Sequence, residues 1–418
     1  MPVRIVATQP NPALVTLPWN TPLEQWADEH IVSLPRGISR HVVRIVRVGP
    51  DVYAVKETRE AMAFKEYRML RDLRRMDLPA VEPVAVIAGR EALDGEEIEP
   101  ALVTRHLTYS LPYRSLFSHG LRADSLPRLI DALAVLLVRL HLAGFFWGDV
   151  SLSNVLFRRS AGEFTAYLVD AETGELHPEL SRGQRAHDLE VAYGNLFGEL
   201  LDLQAGGLLD EQVDPHNIVE LVERRYTALW EELTGIEEFH AGEMWRIEKR
   251  VERLNELGFD VDELDIVTDW SGATVRLQPK VVEAGHHRRE LQGLTGLDVE
   301  DNQARRLLND IASFTAHFDL GNEDRSVVAH RWLTEIYEPM MRMVPRELRV
   351  KLEPPEIFHE ILEHRWFLSE RAGHEVDIME TTRSYIDDVL ARRPDEVVTA
   401  ADDPEVLMPP ASQWPRGS

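Results

Sequence analysis

The sequence predicts an α+β protein in which a small antiparallel sheet comes first, a mainly helical region follows, and a mostly helical C-terminal domain carries one β-hairpin. Three observations support this prediction. Two β-branched runs flank residues 49–51, which is typical of an antiparallel hairpin. Apolar residues between positions 125 and 145 recur with the period of a helix that ends at Gly144. The chain has 418 residues and changes in character after Gly235, so we expect more than one domain.

The first 108 residues hold the predicted sheet. Prolines interrupt residues 1–35 repeatedly, so residues 1–30 are expected to form an irregular N-terminal extension with one short helix near 23–30. The sheet domain is predicted to span residues 31–108. Its expected elements are a hairpin at 41–57, a helix at 60–76, and strands at 81–91 and 99–107.

The mainly helical region is predicted at residues 109–235. It contains two short strands that meet at Ser160-Ala161-Gly162, between long amphipathic segments. Its expected elements are a helix at 125–145, strands at 153–159 and 164–172, and helices at 186–203 and 218–233.

A third region, residues 236–392, is predicted to be mostly helical. It begins with a long charged helix at 237–257, followed by a hairpin around Ser271-Gly272 with strands at 264–270 and 273–282. Further helices are expected at 300–318, 326–343, 355–371 and 380–392. The last residues, 393–418, are acidic and then proline-rich, so we expect a disordered tail.

Composition and charge exclude several classes of function. The net charge of −26, from 46 Lys and Arg against 72 Asp and Glu, disfavours binding to nucleic acid and to anionic membranes. The chain has no cysteine, which excludes disulfides, cysteine-ligated metals and thiol nucleophiles. It has neither the apolar core of a signal peptide nor a run of about 18 apolar residues. We therefore expect a folded cytoplasmic protein that binds no nucleic acid and does not span a membrane.

The densest functional signal lies in residues 140–157. Asp149 follows a long helix in a loop, and Asn154, five residues later, opens a strand. This spacing suits phosphoryl transfer: Asp149 accepts or orients the proton of an attacking hydroxyl, and Asn154 ligates Mg²⁺ on nucleotide phosphates. Asp170 follows the next strand, where a carboxylate can bridge Mg²⁺ between phosphates, and Glu172 is a candidate ligand for a second ion. The alternative is that all four are ordinary turn residues.

Lys56 lies on the second strand of the N-terminal hairpin. An ammonium group there can pair with the α- and β-phosphates of a nucleotide, provided that a carboxylate from the next helix holds it. Glu66 is the better candidate for that carboxylate because it lies in the middle of the helix beside apolar positions, whereas Glu60 is too near the helix start. A lone lysine on a strand usually faces solvent, so this prediction depends on the other residues.

The order of these residues resembles the protein-kinase-like superfamily. The match is closest to the divergent bacterial branch of lipopolysaccharide-core, aminoglycoside and choline kinases, through the stretches LHLAGFFWGDVSLSN and LVDAE. The resemblance covers about residues 30–235 and implies a bilobal kinase fold, with an N-lobe at 31–108, a C-lobe at 109–235, and ATP and Mg²⁺ as cofactors. The chain also resembles actinobacterial proteins that join such a kinase domain to a conserved C-terminal domain of unknown function, here 236–392.

Three features depart from the pattern of this family. Trp147 stands where a histidine is usual, which should alter the packing that supports the catalytic loop. The sequence Asp170-Ala171-Glu172 replaces Asp-Phe-Gly, so the phenylalanine switch of regulated protein kinases is absent. The loop expected to cover the nucleotide has a single glycine, Gly37, and we expect Ser39 and Arg40 to contact the phosphates in its place.

Two other features each allow two interpretations. In the family, an acidic residue near Asp188 tethers the backbone of the catalytic loop, whereas an ordinary aspartate at a helix start would only favour the helix dipole. A basic cluster in the C-terminal region could bind an anionic acceptor through arginine forks, or pair with nearby carboxylates. Its members are Arg276, Lys280, His286, His287, Arg288, Arg289, Arg305 and Arg306.

The sequence therefore favours an atypical kinase, dependent on ATP and Mg²⁺, that phosphorylates a hydroxyl of a sugar-like small molecule or of a protein. Its catalytic residues would be Asp149, Lys56 and Glu66. Nucleotide would contact Lys56, Gly37, Ser39, Arg40, Asn154 and Asp170, and the metal ligands would be Asn154, Asp170 and Glu172. One alternative is a nucleotide-binding pseudokinase that serves as a scaffold and binds a protein partner through residues 236–392. Another keeps the fold but transfers AMP.

Overall fold

The computed structural model describes residues 3–9, 11–27, 31–32, 41–49, 51–118, 126–240, 243, 245–257, 259–268 and 274–393. The chain divides into two compact units. The first comprises Met1–Arg158 and Thr165–Tyr226, and the second comprises Arg159–Phe164 and Thr227–Ser418. The tip of one hairpin, Arg159–Phe164, thus belongs to the second unit, although the strands on both sides of it belong to the first.

The first unit begins with a five-stranded antiparallel sheet. The elements of this region are β1 (Arg4–Ala7), β2 (Val43–Val48), β3 (Asp51–Glu57), α1 (Glu60–Arg75), β4 (Pro83–Ala88), β5 (Arg90–Glu91), β6 (Glu97–Ile98), β7 (Ala101–Arg105) and β8 (Ser110–Pro112). The order in the sheet is β1-β4-β7-β3-β2, and β5 pairs with β6. The hairpin of β2 and β3 and the helix α1 confirm the predicted elements, because local patterns of β-branched and helix-forming residues are sufficient to specify them.

The N-terminal segment is part of this sheet, so the expectation of an irregular lead-in is wrong at β1, which pairs antiparallel with β4. The expected helix near 23–30 is a 3₁₀ turn, Leu23–Gln25, and residues 28–30 lie outside the described part of the chain. The segment also supplies buried side chains to the core on the sheet, namely Leu14, Leu17, Trp19, Leu23 and Trp26. A four-residue strand that forms only by pairing with β4, about eighty residues away, leaves little local signal.

The rest of the first unit is mainly helical. Its elements are α2 (Tyr113–Ser118), α3 (Leu126–Leu142), β9 (Phe145–Phe146), β10 (Val155–Ser160), β11 (Glu163–Leu168), β12 (Glu175–Leu176), α4 (Arg182–Ala205) and α5 (Pro215–Thr234), the last of which continues into the second unit. Strands β8, β10 and β11 form one small sheet, and β9 pairs with β12. The core of this region is α3, whose apolar residues are almost all buried. Together with the sheet, these helices confirm the predicted α+β class.

The second unit contains a three-stranded sheet and a set of helices. Its elements are β13 (Glu237–His240), α6 (Trp245–Glu256), β14 (Phe259–Thr268), β15 (Thr274–Ala284), α7 (His286–Thr295), α8 (Asp301–His317), α9 (Arg325–Trp332), α10 (Glu338–Met343), α11 (Pro354–Ala372) and α12 (Ile378–Asp388). The predicted hairpin is present as β14 and β15, in the order β13-β15-β14. The prediction of one helix over 237–257 is wrong at its start, because pairing with β15 makes 237–240 a strand.

The helices of the second unit pack around Trp332, Tyr337 and Phe358. The predicted helices at 300–318, 326–343, 355–371 and 380–392 are present, although a π-turn at Leu333–Tyr337 interrupts the second of them, just before Pro339. Helix α7 was not predicted, and the expected disordered tail lies outside the described residues beyond position 393. None of the helices in the described part of the chain combines the length and the apolar character needed to cross a bilayer.

Candidate active site

A cavity of about 650 Å³ in the first unit brings together most of the residues predicted from the sequence. Part of its wall is apolar and comes from the sheet and its surroundings: Val43, Ile45, Ala54, Val81, Leu102, Leu111, Leu156 and Val169. Another part is polar and charged: Lys56, Glu66, Asp149, Asn154, Asp170, Glu172, Asn195 and Glu199. The cavity can therefore hold a ligand that has both an apolar and a charged portion.

Lys56 forms the centre of a charged group that we call the lysine cluster, with Glu66, Asp170 and Glu172. Side chains alternate along β3, so Tyr53 and Val55 enter the core while Lys56 lines the cavity. Its ammonium lies 3.0 Å from Glu66, 2.8 Å from Asp170 and 3.2 Å from Glu172. Glu66 is on the buried stripe of α1. Glu60 takes no part, since it is exposed and pairs with Arg4 at 3.1 Å.

The electrostatics of the lysine cluster follow from burial and from its excess of carboxylates. Burial raises the pKa of Glu66 to about 7, and the negative charge of Asp170 adds to this effect. Burial alone would lower the pKa of Lys56, but the carboxylates of Glu66 and Asp170 outweigh it and raise the pKa above its usual value. Lys56 is therefore a permanent cation within a group that holds more negative than positive charge.

The three carboxylates of the lysine cluster could hold a divalent cation. One oxygen from each of Glu66, Asp170 and Glu172 lies within 4.8 Å of the others. Carboxylate oxygens are the ligands that Mg²⁺ prefers, and one ammonium among three carboxylates leaves a site that a cation would neutralise. The Nε2 atom of His41 lies 3.1 Å from Glu172, at the edge of this group. The residues present therefore fit a metal such as Mg²⁺.

Two side-chain amides orient Asp149. The side-chain amide of Asn154 donates to the main-chain carbonyl of Asp149 at 3.0 Å and to its Oδ2 at 3.1 Å. The amide of Asn195 donates to Oδ1 of Asp149 at 3.2 Å and to the carbonyl of Val150 at 3.0 Å. Gly148 precedes it with a φ of 76°, a conformation that glycine adopts without strain. The carboxylate is thus oriented through both of its oxygens.

Asp188 tethers the backbone just before Asp149. This buried carboxylate accepts the N–H groups of Trp147 at 2.8 Å and Gly148 at 2.7 Å, and it lies 3.1 Å from Nε2 of His141. Helix α4 begins at Arg182, so Asp188 lies in the second turn of the helix and not at its start. The interpretation as a tether is confirmed, and the one as an ordinary helix-start residue is wrong.

Two residues that the sequence reasoning missed, Asn195 and Glu199, lie on the same helix. The carboxylate of Glu199 accepts the N–H groups of Leu152 at 2.8 Å and Ser153 at 2.9 Å, together with the Ser153 hydroxyl at 2.5 Å. Burial raises the pKa of Glu199, although these hydrogen bonds oppose the effect. Asp188, Asn195 and Glu199 are seven and four residues apart, which places them on one face of α4. This spacing is the feature of the sequence from which Asn195 and Glu199 could have been predicted as site residues.

Trp147 connects the loop that carries Asp149 with the segment that carries Asp170. Its buried indole N–H donates to the main-chain carbonyl of Asp170 at 3.0 Å. Its own carbonyl accepts the hydroxyl of Thr173 at 2.7 Å. Beside it, the N–H of Val169 donates to the carbonyl of Asn154 at 3.1 Å. The tryptophan that departs from the family pattern therefore supports the loop.

The remaining predicted residues lie either outside the described part of the chain or in the second unit. Gly37, Ser39 and Arg40 lie outside the described residues. In the basic cluster, Arg288 pairs with Asp298 at 2.7 Å and His287 lies 2.9 Å from Asp301. The side chains of Arg276 and Lys280 are also outside the described part. At Arg288 and His287, the structure thus supports pairing with carboxylates of the second unit over recognition of an anionic acceptor.

Comparison with known proteins gives matches for both parts of the chain. Residues 40–199 match the model of the lipopolysaccharide kinase (Kdo/WaaP) family, and residues 228–390 match a domain of unknown function (DUF4032). A 3-deoxy-D-manno-octulosonic acid kinase of Xanthomonas campestris pv. campestris (strain B100) is 30% identical over 184 residues, which are 44% of this chain and 67% of that protein. The protein of the same name from Xanthomonas oryzae pv. oryzae (strain PXO99A) is 30% identical over 199 residues, covering 47% and 72%.

Among solved structures, one described as WaaP in complex with acyl carrier protein is similar to this chain. It is 17% identical in sequence and gives a TM-score of 0.30, with 54% of this chain and 99% of that chain covered.

Proposed function

The chain belongs to the lipopolysaccharide kinase (Kdo/WaaP) family and is a phosphotransferase, and from this premise we propose that it transfers the γ-phosphoryl group of ATP to a hydroxyl of a sugar-like acceptor in a Mg²⁺-dependent reaction. The observation that carries the proposal is that the lysine cluster and the oriented carboxylate of Asp149 line the same cavity. A phosphate-binding cation, metal-binding oxygens and a proton acceptor are the groups that this reaction requires.

The nucleotide would occupy the cavity according to the chemistry of its walls. The apolar side chains near Ile45, Leu102 and Leu111 suit a flat, uncharged base. Lys56, fixed by Glu66, would pair with the α- and β-phosphates. Of the three carboxylates that fit a divalent cation, Asp170 and Glu172 would hold Mg²⁺ together with Asn154 of the same cavity, while Glu66 stays paired with Lys56. Bound Mg²⁺ would neutralise charge on the phosphates.

Asp149 would act on the acceptor. Its carboxylate, oriented by Asn154 and Asn195, would accept the proton of the attacking hydroxyl as the new oxygen–phosphorus bond forms. The bond between the γ-phosphorus and the bridging oxygen breaks in the same displacement, and ADP leaves with that oxygen. The amides of Asn154 and Asn195 would hold the carboxylate in a fixed orientation, which a proton acceptor requires.

For the acceptor, the named relatives suggest a sugar acid. Two of them are 3-deoxy-D-manno-octulosonic acid kinases, and we propose an acceptor of that kind for this chain. Binding of a protein partner through residues 236–392 and a cytoplasmic location both stay predictions.

The test is a phosphotransfer assay on the full chain with ATP, Mg²⁺ and 3-deoxy-D-manno-octulosonic acid. We expect acceptor-dependent release of ADP and a phosphorylated sugar in the mass spectrum, both lost in Asp149→Asn. ATP with Mg²⁺ should also raise the melting temperature of the protein. A protein that binds ATP but phosphorylates no sugar would favour the pseudokinase alternative. The absence of any thermal shift at millimolar ATP would contradict the proposal as a whole.

A further inference from the structure

The turn that joins β10 and β11 leaves two main-chain N–H donors outside the strand pairing. Ala161 and Gly162 both have positive φ, 54° and 78°, as in a two-residue hairpin turn of type I′. In such a turn the N–H groups of the two central residues take no part in the strand ladder. Ala161 is nevertheless buried, so its N–H group needs a partner within the protein.

Glu356 of helix α11 supplies that partner. Its carboxylate accepts the N–H of Ala161 at 2.7 Å and that of Gly162 at 3.4 Å, so two successive N–H groups cradle one anion. Glu356 is 3% exposed, and the amide of Gln303 donates to it at 3.0 Å. The turn, Gln303 and Glu356 all belong to the second unit.

One helical turn further on, Glu360 lies among residues of the second unit. Its partly buried carboxylate accepts the hydroxyl of Tyr385 at 2.6 Å and a guanidinium N–H of Arg393 at 2.5 Å. Arg159, the first residue of the hairpin tip, also acts on the charge of Glu360. Helix α11 therefore holds the hairpin tip through Glu356, and the charge of Glu360, four residues further along the helix, acts on Arg159 of the same tip.

The other end of the hairpin carries two of the proposed metal ligands. Strand β10 begins directly after Asn154, and β11 ends two residues before Asp170. The two strands are hydrogen-bonded neighbours, and the bond from the Val169 N–H to the Asn154 carbonyl continues this pairing beyond them. Because a paired hairpin is stiff along its length, a constraint on its turn also limits the positions that Asn154 and Asp170 can adopt.

We propose that Glu356 is a positioning residue for the phosphotransfer site, and that the domain of unknown function supports Mg²⁺-dependent nucleotide binding by holding the turn of this hairpin. The inference rests on the proposed function, because it assumes that Asn154 and Asp170 bind Mg²⁺. It gives residues 228–390 a role in the kinase reaction.

The first test compares Glu356→Gln with a matched change on the same helix, Glu370→Gln, whose side chain is exposed. Glutamine keeps the size of Glu356 but removes the charge and one acceptor. Calorimetry would measure the dissociation constant for ATP with Mg²⁺ and with EDTA, and the melting temperature would report stability. Because residues that orient metal ligands change metal affinity by about 10–100-fold, we expect Glu356→Gln to weaken binding with Mg²⁺ about tenfold. Binding in EDTA, and both constants of Glu370→Gln, should match the wild type.

The outcomes separate this inference from the proposed function. If Mg²⁺ does not increase the affinity of the wild type for ATP, the proposed function is wrong, and the inference, which rests on it, is wrong as well. If the wild type shows the gain and Glu356→Gln keeps it, only the inference fails. A loss of equal size with Mg²⁺ and with EDTA would show that Glu356 has a general structural role, which also overturns the inference.

A second measurement needs no substitution and decides the matter if Glu356→Gln does not fold. Coupling between two sites is reciprocal, so Mg²⁺–ATP should slow hydrogen exchange at the amides of Ala161 and Gly162. ATP in EDTA should not slow it, and the amide of Val389 in the same unit, which bonds to Tyr385, should exchange at the same rate in both conditions. Equal exchange at Ala161 and Gly162 with and without Mg²⁺ would overturn the proposal.

Discussion

His106 and Lys56 line the same cavity and can both carry a positive charge, yet their surroundings affect them in opposite ways. Burial lowers the pKa of His106 to about 4. Burial acts on Lys56 in the same direction, but the carboxylates of Glu66 and Asp170 reverse the effect and raise its pKa. One part of the cavity wall therefore excludes charge and another stabilises it. A ligand with a neutral ring and a multiply charged tail, such as ATP, is complementary to both parts.

The two aspartates of the site differ in a related way. Asp170 contacts the ammonium of Lys56 at 2.8 Å, so its charge is balanced by a cation. Asp149 contacts the neutral amides of Asn154 and Asn195. The first arrangement suits binding of metal and phosphate, and the second suits acceptance of a proton. The predictions below test whether this division holds, beginning with the largest expected effect.

Replacing each aspartate by asparagine should separate turnover from binding. Asp149→Asn removes the proton acceptor and should lower turnover about 10²–10⁴-fold, while the dissociation constant for ATP with Mg²⁺ stays within about twofold. Asp170→Asn removes a metal ligand and should weaken binding of ATP with Mg²⁺ by about tenfold or more. Single-turnover kinetics and calorimetry would measure the two quantities. Equal effects of both substitutions on binding would refute the division between the two aspartates.

The neutral state of His106 should make stability depend on pH. The imidazole of His106 has a pKa of about 4 in the folded protein and near 6.5 in the unfolded chain. Between these two pH values, the unfolded chain therefore binds more protons than the folded protein. The free energy of unfolding should therefore decrease as the pH falls from 6.5 towards 4. Between pH 7.5 and pH 5, His106 should lower the free energy of unfolding by at most about 2 kcal/mol.

Urea unfolding of the wild type and of His106→Gln at both pH values would measure this loss. The variant has the same other titrating groups, so the difference between the two proteins isolates His106. A wild type that loses no more stability than the variant on acidification would show that His106 is hydrated, and that this part of the wall does not exclude charge.

Much of the fold was predictable because its signals are local. The hairpin of β2 and β3, the apolar helix α3 and the hairpin of β14 and β15 each follow from residue patterns within about twenty positions. Strand β1 and strand β13 did not follow, because each becomes a strand only through a distant partner, β4 and β15 respectively. The charged composition of residues 237–240 favoured a helix, but pairing with β15 makes this segment a strand.

The candidate site shows the same limit. The candidates Lys56, Glu66, Asp149 and Asp170 came from the order and spacing of a few motifs, and the cavity brings them together. Asn195 and Glu199 could have been found from their spacing on α4. The contact of Glu356 with Ala161 could not, since 195 residues separate them and a buried glutamate on a helix has no pattern of its own.

The smallest effect that we predict concerns Trp147, which ties the charged part of the site to the loop of Asp149. Trp147→Phe keeps an aromatic ring but removes the hydrogen bond from the indole to the Asp170 carbonyl. A hydrogen bond of this kind contributes about 0.5–1.5 kcal/mol, so binding of ATP with Mg²⁺ should weaken about two- to tenfold.

The matched control is Trp332→Phe in the second unit. It removes an equally buried indole whose N–H donates to the carboxylate of Asp310 at 2.6 Å, so it should cost at least as much stability and leave ATP affinity unchanged. If both variants weakened ATP binding equally, general destabilisation would explain the loss, and Trp147 would have no specific role in placing Asp170. If neither variant weakened ATP binding, the hydrogen bond from Trp147 to the Asp170 carbonyl would not be needed to place Asp170. The lysine cluster alone would then hold the Asp170 carboxylate in position.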